Sequence, residues 1–271
     1  MRTVLICHHD DRSTREGLSR WLASFSDLVG IVEIHEGKDR AWKRLRAEWK
    51  RSGPLGLIDV VAFRLYYRLA LAARDARIEE ADLERLKRRY PPVPTDVPVL
   101  VTATPNSRET QRFLEDLAPD IALARCKFLL ARRIFDVPKQ GTFVMHPGIC
   151  PEYRNSHGCF WALARDDLDN VGMTLLKIDA GVDTGPVYGY FRYPYDEVNE
   201  SHIVIQSRVV LENLDAIAGT FDAIHRGEAN TIDTTGRRSG TWGQPWLTRY
   251  LRWKARARAR VKARVRGGAA R

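Results

Sequence analysis

Residues 3–34 read TVLICHHDDRSTREGLSRWLASFSDLVGIVEI and predict a strand, a helix and a second strand in that order. The apolar runs at 3–7 and 29–34 are short and rich in β-branched residues, which is typical of buried strands. Between them, apolar residues recur at helical spacing: Leu18, Trp21, Leu22 and Phe25. Strands that alternate with helices indicate an α/β fold around a parallel sheet.

The rest of the chain continues this alternation. Five further strands are predicted, at 99–101, 120–123, 141–145, 173–178 and 186–191. A long helical region over about residues 39–89 separates the second strand from the third and has the character of an insertion. A single long helix from residue 201 to Ile224 is predicted to cover the sheet. We expect one domain over residues 1–230, followed by a basic tail over 231–271 that is helical or solvated.

The formal net charge of +10 is a property of the C-terminus. Residues 249–271 contain ten Lys/Arg and no Asp/Glu, which leaves 34 basic and 34 acidic residues in the remainder. Apolar side chains of this region fall near helical spacing: Trp246, Tyr250, Trp253, Ala257, Val261 and Val265. The pattern is compatible with a basic helix on nucleic acid or an anionic membrane, and equally with a solvated tail. We expect the body to fold without residues 249–271.

Neither a disulfide framework nor a membrane-spanning helix is indicated. The four cysteines form no CxxC pair and no signal peptide precedes them, so a reducing cytoplasm is the expected location. The apolar stretch at 55–72 contains Asp59, Arg64 and Arg68, each of which costs roughly 2.5 to 3.5 kcal/mol at the centre of a spanning helix. We interpret this stretch as a packed helix, with a subunit or acceptor contact as the alternative.

A histidine at a strand end marks the candidate site. Residues 143–154 read FVMHPGICPEYR, in which Pro147 and Gly148 end the strand directly after His146. Asp183 follows later in the chain, in a glycine-containing loop. Imidazole titrates near neutrality, and a nearby carboxylate stabilises and orients its charged form. The pattern predicts a His146–Asp183 pair, whereas His157 is expected to begin a helix.

Two blocks, HPGICPEYRNSHG with WAL (146–163) and GMTLLKIDAGVDTGPVY (172–188), resemble the signature regions of the folate-dependent formyltransferases. The resemblance covers roughly residues 1–226. It implies a Rossmann-like three-layer sandwich with a mostly parallel central sheet. It also implies transfer of a formyl group from 10-formyltetrahydrofolate to an amine.

The family's catalytic trio is an asparagine two positions before a histidine, that histidine, and an aspartate in the second block. His146 and Asp183 match, but Val144 occupies the asparagine position. Losing one donor to the oxyanion typically costs roughly 2.7 to 4 kcal/mol. The alternatives are therefore a slow transferase, a catalytically impaired or hydrolytic relative, and an adaptor that acts through its basic tail. The neutral body argues against the adaptor.

The resemblance also implies where the folate binds. The pterin would contact mainly backbone groups in two segments, at Cys126, Lys127, Phe128 and Leu129, and at Asp179 and Gly181. No metal site is expected, because the adjacent His8 and His9 should point to opposite sides of an extended chain. The first loop lacks phosphate-cradling glycines, which disfavours a ribonucleotide acceptor. The resemblance implies that family members acting on methionyl-tRNA carry a further β-rich C-terminal domain. Only about 45 residues follow His225 here, which disfavours a tRNA acceptor. A small amine, such as an amino sugar, is the expected acceptor, and the oligomeric state stays open.

Overall fold

A seven-stranded sheet forms the centre of the computed structural model, which describes residues 1–35 and 40–268. The strands are β1 Arg2–His8, β2 Asp27–Ile34, β3 Val99–Thr102, β4 Ile121–Arg125, β5 Gly141–His146, β6 Arg154–Asn155, β7 Met173–Lys177, β8 Val187–Phe191 and β9 Thr241–Trp242. The main sheet has the order β3-β2-β1-β4-β5-β7-β8, and β6 pairs with β9 separately. The first five strands of the sheet are parallel, and β7 and β8 are antiparallel to their neighbours. The predicted mostly parallel sheet is confirmed.

Helices cover both faces of the sheet. They are α1 Ser19–Phe25, α2 Arg40–Tyr66, α3 Ala72–Arg89, α4 Arg108–Leu117, α5 Arg132–Phe135, α6 Gly158–Arg165, α7 His202–Leu211, α8 Leu214–Arg226 and α9 Leu247–Gly268. Single π-helical turns precede α1, at Ser13–Leu18, and join α2 to α3, at Tyr67–Leu71. Helices α4 and α5 pack on one face, and the core of the other face takes side chains from the remaining helices. The predicted Rossmann-like three-layer sandwich is confirmed.

The central strand β1 is buried on both faces, which explains its continuous apolar sequence. Leu5 points into the larger layer, where the same core includes Phe143 and Trp253. Ile6 points into the smaller layer, where Leu114 of α4 belongs to the core. Strand alternation thus divides one short run between two cores.

The helical region predicted at 39–89 is present from Arg40, whereas residue 39 lies outside the described residues. Helix α2 changes direction at Gly53, whose φ of 67° is a left-handed conformation that glycine adopts without a steric penalty. That the helical region at 39–89 is an insertion stays a prediction, and so does the domain boundary near residue 230.

The prediction of a single helix from residue 201 to Ile224 is wrong, because the helix is interrupted between α7 and α8. The side-chain amide of Asn213 donates to Val209 O at 2.8 Å and to Arg192 O at 3.1 Å. Asparagine competes in this way with backbone hydrogen bonds and disfavours helix interiors. The apolar spacing persisted across the break and concealed it.

The basic C-terminal segment is a helix that joins the core. Tyr250 and Trp253 of α9 are 2% and 0% exposed, respectively. The ammonium group of Lys254 donates to Glu197 O at 2.7 Å, and Arg260 forms ion pairs with Glu197 and Asp166. Of the two alternatives, a helical and a solvated tail, the first half of α9 is helical and packed on the body. That the body folds without residues 249–271 stays a prediction, and residues 269–271 lie outside the described chain. Among the described helices, none has the length and apolar character needed to cross a bilayer.

Candidate functional site

His146 is the last residue of β5 and is 5% exposed. Its Nε2 lies 2.8 Å from the carbonyl oxygen of Tyr153. Because a carbonyl oxygen only accepts, Nε2 must carry the proton in this contact. The other ring nitrogen, Nδ1, lies 3.4 Å from Oδ2 of Asp183. The structure thus brings the two predicted catalytic residues together.

Asp183 lies in the loop between β7 and β8, with a positive φ of 51°. Its Oδ2 accepts a hydrogen bond from the backbone N–H of Asn155 at 2.7 Å, and Arg154 donates to the neighbouring Val182 O at 3.1 Å. Within the described residues no hydrogen bond reaches Oδ1, and the side chain is 15% exposed. One carboxylate oxygen is therefore fixed by the protein, and the other is available to a ligand.

Two glycines allow the loop after β5 to fold tightly behind His146. A Cβ atom on Gly148 would lie 2.5 Å from Tyr153 O, and one on Gly158 would lie 2.5 Å from the Cα atom of Gly148. Neither distance is tolerated by real side chains. The close approach places Tyr153 O against the His146 ring and so fixes the ring orientation.

A C-terminal strap, residues 237–246, packs on this loop and was missed by the sequence analysis. Arg237 binds both carboxylate oxygens of Glu152, at 2.9 and 2.7 Å. The indole of Trp242 lies between Tyr153 and Trp161, with ring centroids 5.7 and 5.0 Å away. No local pattern could reveal these contacts, because the partners are more than 80 residues apart. The strap holds the loop that orients His146.

The loop after β4 carries four residues predicted to contact folate. Lys127 N–H donates to His8 Nε2 at 3.0 Å, and the rings of His8 and Phe128 stack 5.9 Å apart. The thiol of Cys126 lies 3.9 Å from Phe128 O, while Leu129 is 69% exposed and its carbonyl accepts from Asn106. Since β4 and β5 are adjacent and parallel, this loop lies at the same sheet edge as His146.

Asp179 and Gly181 close the β7–β8 loop on itself. Oδ1 of Asp179 accepts from Gly181 N–H at 2.9 Å and from the Thr184 hydroxyl at 2.7 Å. A Cβ atom on Gly181 would lie 2.0 Å from Thr184 Oγ1, so a side chain there would displace the Thr184 hydroxyl from Asp179. These two residues shape the loop that presents Asp183, and their folate contact stays a prediction.

Val144 is partly buried and offers no hydrogen-bond donor. It pairs with Ala124 and Leu176 on the neighbouring strands and packs beside Cys150. The side-chain amide of Asn155, the alternative donor nearby, is already bound to Trp242 O at 2.5 Å. The missing asparagine has therefore not been replaced by Asn155.

His9, Glu33 and His35 meet at the carboxyl ends of β1 and β2, with their ligand atoms within 4.8 Å of one another. His9 Nδ1 and His35 Nε2 lie 2.5 and 2.8 Å from the same oxygen of Glu33. Arg15 contacts His9 Nδ1 at 3.0 Å, so a guanidinium already occupies the position beside that nitrogen. The cluster is a network of hydrogen-bonded polar side chains, and the absence of a metal stays a prediction.

A cavity of about 300 Å³ lies between α2, the starts of α6 and α7, and the strap. Its lining is mainly apolar and includes Val60, Phe63, Arg64, Tyr67, His157, His202, Ile203, Gln244 and Pro245. His202 is 1% exposed, and neither of its ring nitrogens has a partner among the described residues. Burial, with Lys127 nearby, lowers the pKa of His157 to about 4, and burial beside His157 holds that of His202 well below its usual range. Both rings are neutral at physiological pH.

We expect the protein to lose stability as the pH falls from about 6.5 to about 4. In that window the unfolded chain binds protons that the folded protein excludes from His157 and His202. His157 alone accounts for up to about 3 kcal/mol, at 1.36 kcal/mol per unit of displaced pKa. Urea unfolding at about pH 7 and about pH 5 measures the loss.

His202→Phe should make this loss of stability smaller, because phenylalanine cannot bind a proton. The substitution should also pack well, since the ring of His202 has aromatic neighbours, with Phe160 5.2 Å away. The matched control is His35→Gln, because His35 is exposed. An acid sensitivity that is identical in His202→Phe and the parent would show that His202 does not contribute.

Comparison with known proteins places this geometry in a family. The model of the formyl transferase family matches residues 76–215, just over half of the chain. Methionyl-tRNA formyltransferase of Dehalococcoides mccartyi is 38% identical over 81 residues, which are 30% of this chain and 26% of that enzyme. That of Rhodococcus erythropolis is 24% identical over 163 residues, covering 60% and 51% of the two chains. The chain thus spans about a quarter to a half of these relatives.

Solved structures share the fold at low sequence identity. A sugar N-formyltransferase from a Shewanella species superposes with a TM-score of 0.54 at 11% identity, covering 90% of this chain and 77% of that one. Phosphoribosylglycinamide formyltransferase from Anaplasma phagocytophilum gives 0.53 at 13% identity, covering 90% and 99%. The family match spans the β5 histidine and the β7–β8 aspartate, and the fold around them is that of these enzymes. The chain therefore belongs to the formyl transferase family.

Proposed function

We propose that this protein transfers a formyl group from 10-formyltetrahydrofolate to a small amine, with His146 and Asp183 at the reacting atoms. The observation that carries the proposal is the buried pair itself, in which His146 Nδ1 lies 3.4 Å from Asp183 Oδ2 at the carboxyl edge of the sheet. Family membership supports the reaction class. A cytoplasmic location, which would supply the folate, is part of the proposal.

The arrangement suits attack of an amine on the formyl carbon. A new C–N bond forms, the bond between the formyl carbon and N10 of the folate breaks, and one proton passes from the amine to N10. Asp183 has a free Oδ1 that can accept the amine proton, while Oδ2 is held by Asn155 N–H. A protonated His146 can donate from Nδ1 to the oxyanion that develops, since Nε2 is anchored on Tyr153 O.

The folate site is proposed between the loop at 126–129 and the loop at 179–183. Two backbone groups of the first loop are already used, because Lys127 N–H binds His8 and Leu129 O binds Asn106. In the second loop Gly181 N–H binds Asp179 and Val182 O accepts from Arg154. The exposed Leu129 side chain offers an apolar surface to a planar pterin. The proposal therefore assigns the folate to the sheet edge that presents Asp183.

The acceptor is proposed to be a small amine, such as an amino sugar, that enters beside His157. The loop of Asn155, which orients Asp183, leads within two residues to His157 in the wall of the cavity. The experiment supplies 10-formyltetrahydrofolate with amino-sugar nucleotides, glycinamide ribonucleotide or methionyl-tRNA and detects formylated product by mass spectrometry. Folate-dependent formylation of an amino sugar alone is the expected result. Formylation of none of these amines, with the folate unchanged, contradicts the proposal.

A hydrolytic or impaired relative is the second candidate, and Val144 is the observation that favours it. Its side chain supplies no donor, and the Asn155 amide is engaged with Trp242 O. Release of formate from 10-formyltetrahydrofolate without any amine would identify a hydrolase.

Val144→Asn is expected to raise the rate of formyl transfer, by up to about 10² to 10³-fold if the new amide reaches the oxyanion. Val144 and His146 lie on the same side of β5, since strand side chains alternate. The amide also enters a partly apolar site beside Leu176, so the free energy of unfolding should fall by about 1 to 3 kcal/mol. Steady-state kinetics and urea unfolding measure the two effects.

Val144→Leu is the matched control, because it changes the volume without adding a donor. An equal rise in both variants would attribute the effect to packing. A parent enzyme that is already fast would show that Val144 is no handicap.

A further inference from the structure

We propose that the protein binds an anionic membrane surface through α2 and α9. The first element of the surface is the apolar stripe, defined as Leu55, Ile58, Val61, Leu65 and Leu69. These side chains are 81%, 64%, 50%, 58% and 77% exposed. They are spaced by three or four residues and run along α2 into the following π-helical turn. Such spacing places them on one side of a helix, over about 21 Å of its length.

The opposite side of α2 is the one that packs on the protein. Val60 and Phe63 are 0% and 5% exposed, and Phe63 contacts the ring of Tyr250 at 5.4 Å. This segment is therefore apolar on both sides, while only one side is covered by the described residues. A helix with that composition is normally buried all round, and a contiguous apolar patch on the surface marks an interaction site.

Cations border the stripe. Arg64 of α2 and Arg68 of the following π-helical turn are exposed and lie beside it. On its other border, α9 packs along α2, through Tyr66 with Tyr250 at 5.7 Å and through Asp59 with Thr248 N–H at 3.0 Å. The stripe thus lies between two rows of positive charge.

Helix α9 presents a strong positive field next to the stripe. Residues 247–268 contain nine Lys/Arg and no Asp/Glu. Its exposed cations include Arg252, Arg258, Lys262 and Arg264, for which no ion pair appears among the described residues. Its exposed apolar side chains include Leu251, Val261 and Val265, which are 48%, 48% and 67% exposed. An apolar strip flanked by arginine and lysine is the composition of helices that lie in the headgroup region of anionic bilayers.

The charge pattern distinguishes this occupant from the others. A second copy seated symmetrically on the stripe would bring two basic α9 helices towards each other, which like-charge repulsion opposes. A nucleic acid would use the cations and leave the five exposed aliphatic side chains without a function. A membrane surface uses both, and the helix lies in the interface without spanning it.

The test is sedimentation of the full chain with vesicles of equal parts phosphatidylglycerol and phosphatidylcholine, compared with pure phosphatidylcholine. We expect binding to the anionic vesicles alone, weakened by salt. Leu65→Gln with Leu69→Gln should reduce the partition coefficient by at least about tenfold, because each leucine removes apolar area from water on binding. The matched control is Val99→Thr with Val101→Thr, exposed aliphatic residues on the edge strand β3, which should bind like the parent.

Charge is tested separately. Arg252→Glu with Lys262→Glu should weaken binding strongly, whereas Arg108→Glu with Arg112→Glu on α4, on the opposite face of the sheet, should have little effect. Circular dichroism confirms that each variant folds. A parent that ignores anionic vesicles, or a leucine pair variant that binds them as well as the parent, overturns the proposal. So does a parent dimer that the leucine variant converts to a monomer, or binding to duplex DNA that displaces the vesicles and ignores the leucine changes.

Discussion

Replacing His146 with alanine is expected to lower the rate of formyl transfer by about 10² to 10⁴-fold, the range that one positioned proton-transfer group supplies. The ring is held in place by Tyr153 O at 2.8 Å and faces Asp183 at 3.4 Å, and alanine would remove both contacts. Steady-state kinetics with 10-formyltetrahydrofolate and the amine acceptor that the parent enzyme formylates measure the loss.

Asp183→Ala should cause a loss of similar size, and the double variant should lose little more than either single one. Residues that act as a unit are strongly non-additive in this way. The matched control is His225→Ala, because that histidine lies on α8 and contacts Gln140 rather than the site. Multiplicative losses in the double variant would mean that the two residues act independently.

Trp253→Ala is expected to lower the free energy of unfolding by about 3 to 5 kcal/mol, the usual cost of removing a buried tryptophan. Trp253 is 0% exposed and belongs to the same core as Phe143 of β5. Deletion of residues 249–271 removes Tyr250 as well and should abolish the cooperative transition. Chemical denaturation followed by circular dichroism measures both.

Val265→Ala on the same helix is the matched control, because its side chain is 67% exposed and should cost little. If the truncated chain still melted cooperatively at the temperature of the parent, α9 would be an accessory to a self-sufficient body. The prediction that the body folds without residues 249–271 would then be confirmed.

Much of the architecture was predictable because it depends on local pattern. The apolar runs of β1, β2 and β5 report burial on both faces, and parallel sheets require that burial. Likewise His146, followed by Pro147 and Gly148, indicated a side chain at a strand end. The prediction of one long helix from residue 201 failed at Asn213, where the side-chain amide donates to two backbone carbonyls although the apolar spacing is unbroken.

The spacing of apolar residues along the chain indicates which side chains share one side of a helix or strand, but it does not show what packs against that side. The residues alone therefore determined the strand–helix order, the parallel sheet, the place of His146 at a strand end and that of Asp183 in a separate loop. Only the tertiary structure decided that Tyr250 and Trp253 join the core while Leu65 and Leu69 face outward, although all four lie in helical patterns. It also decided that Arg237 anchors Glu152 beside the site, since a contact between residues far apart in the chain is set by how the elements pack.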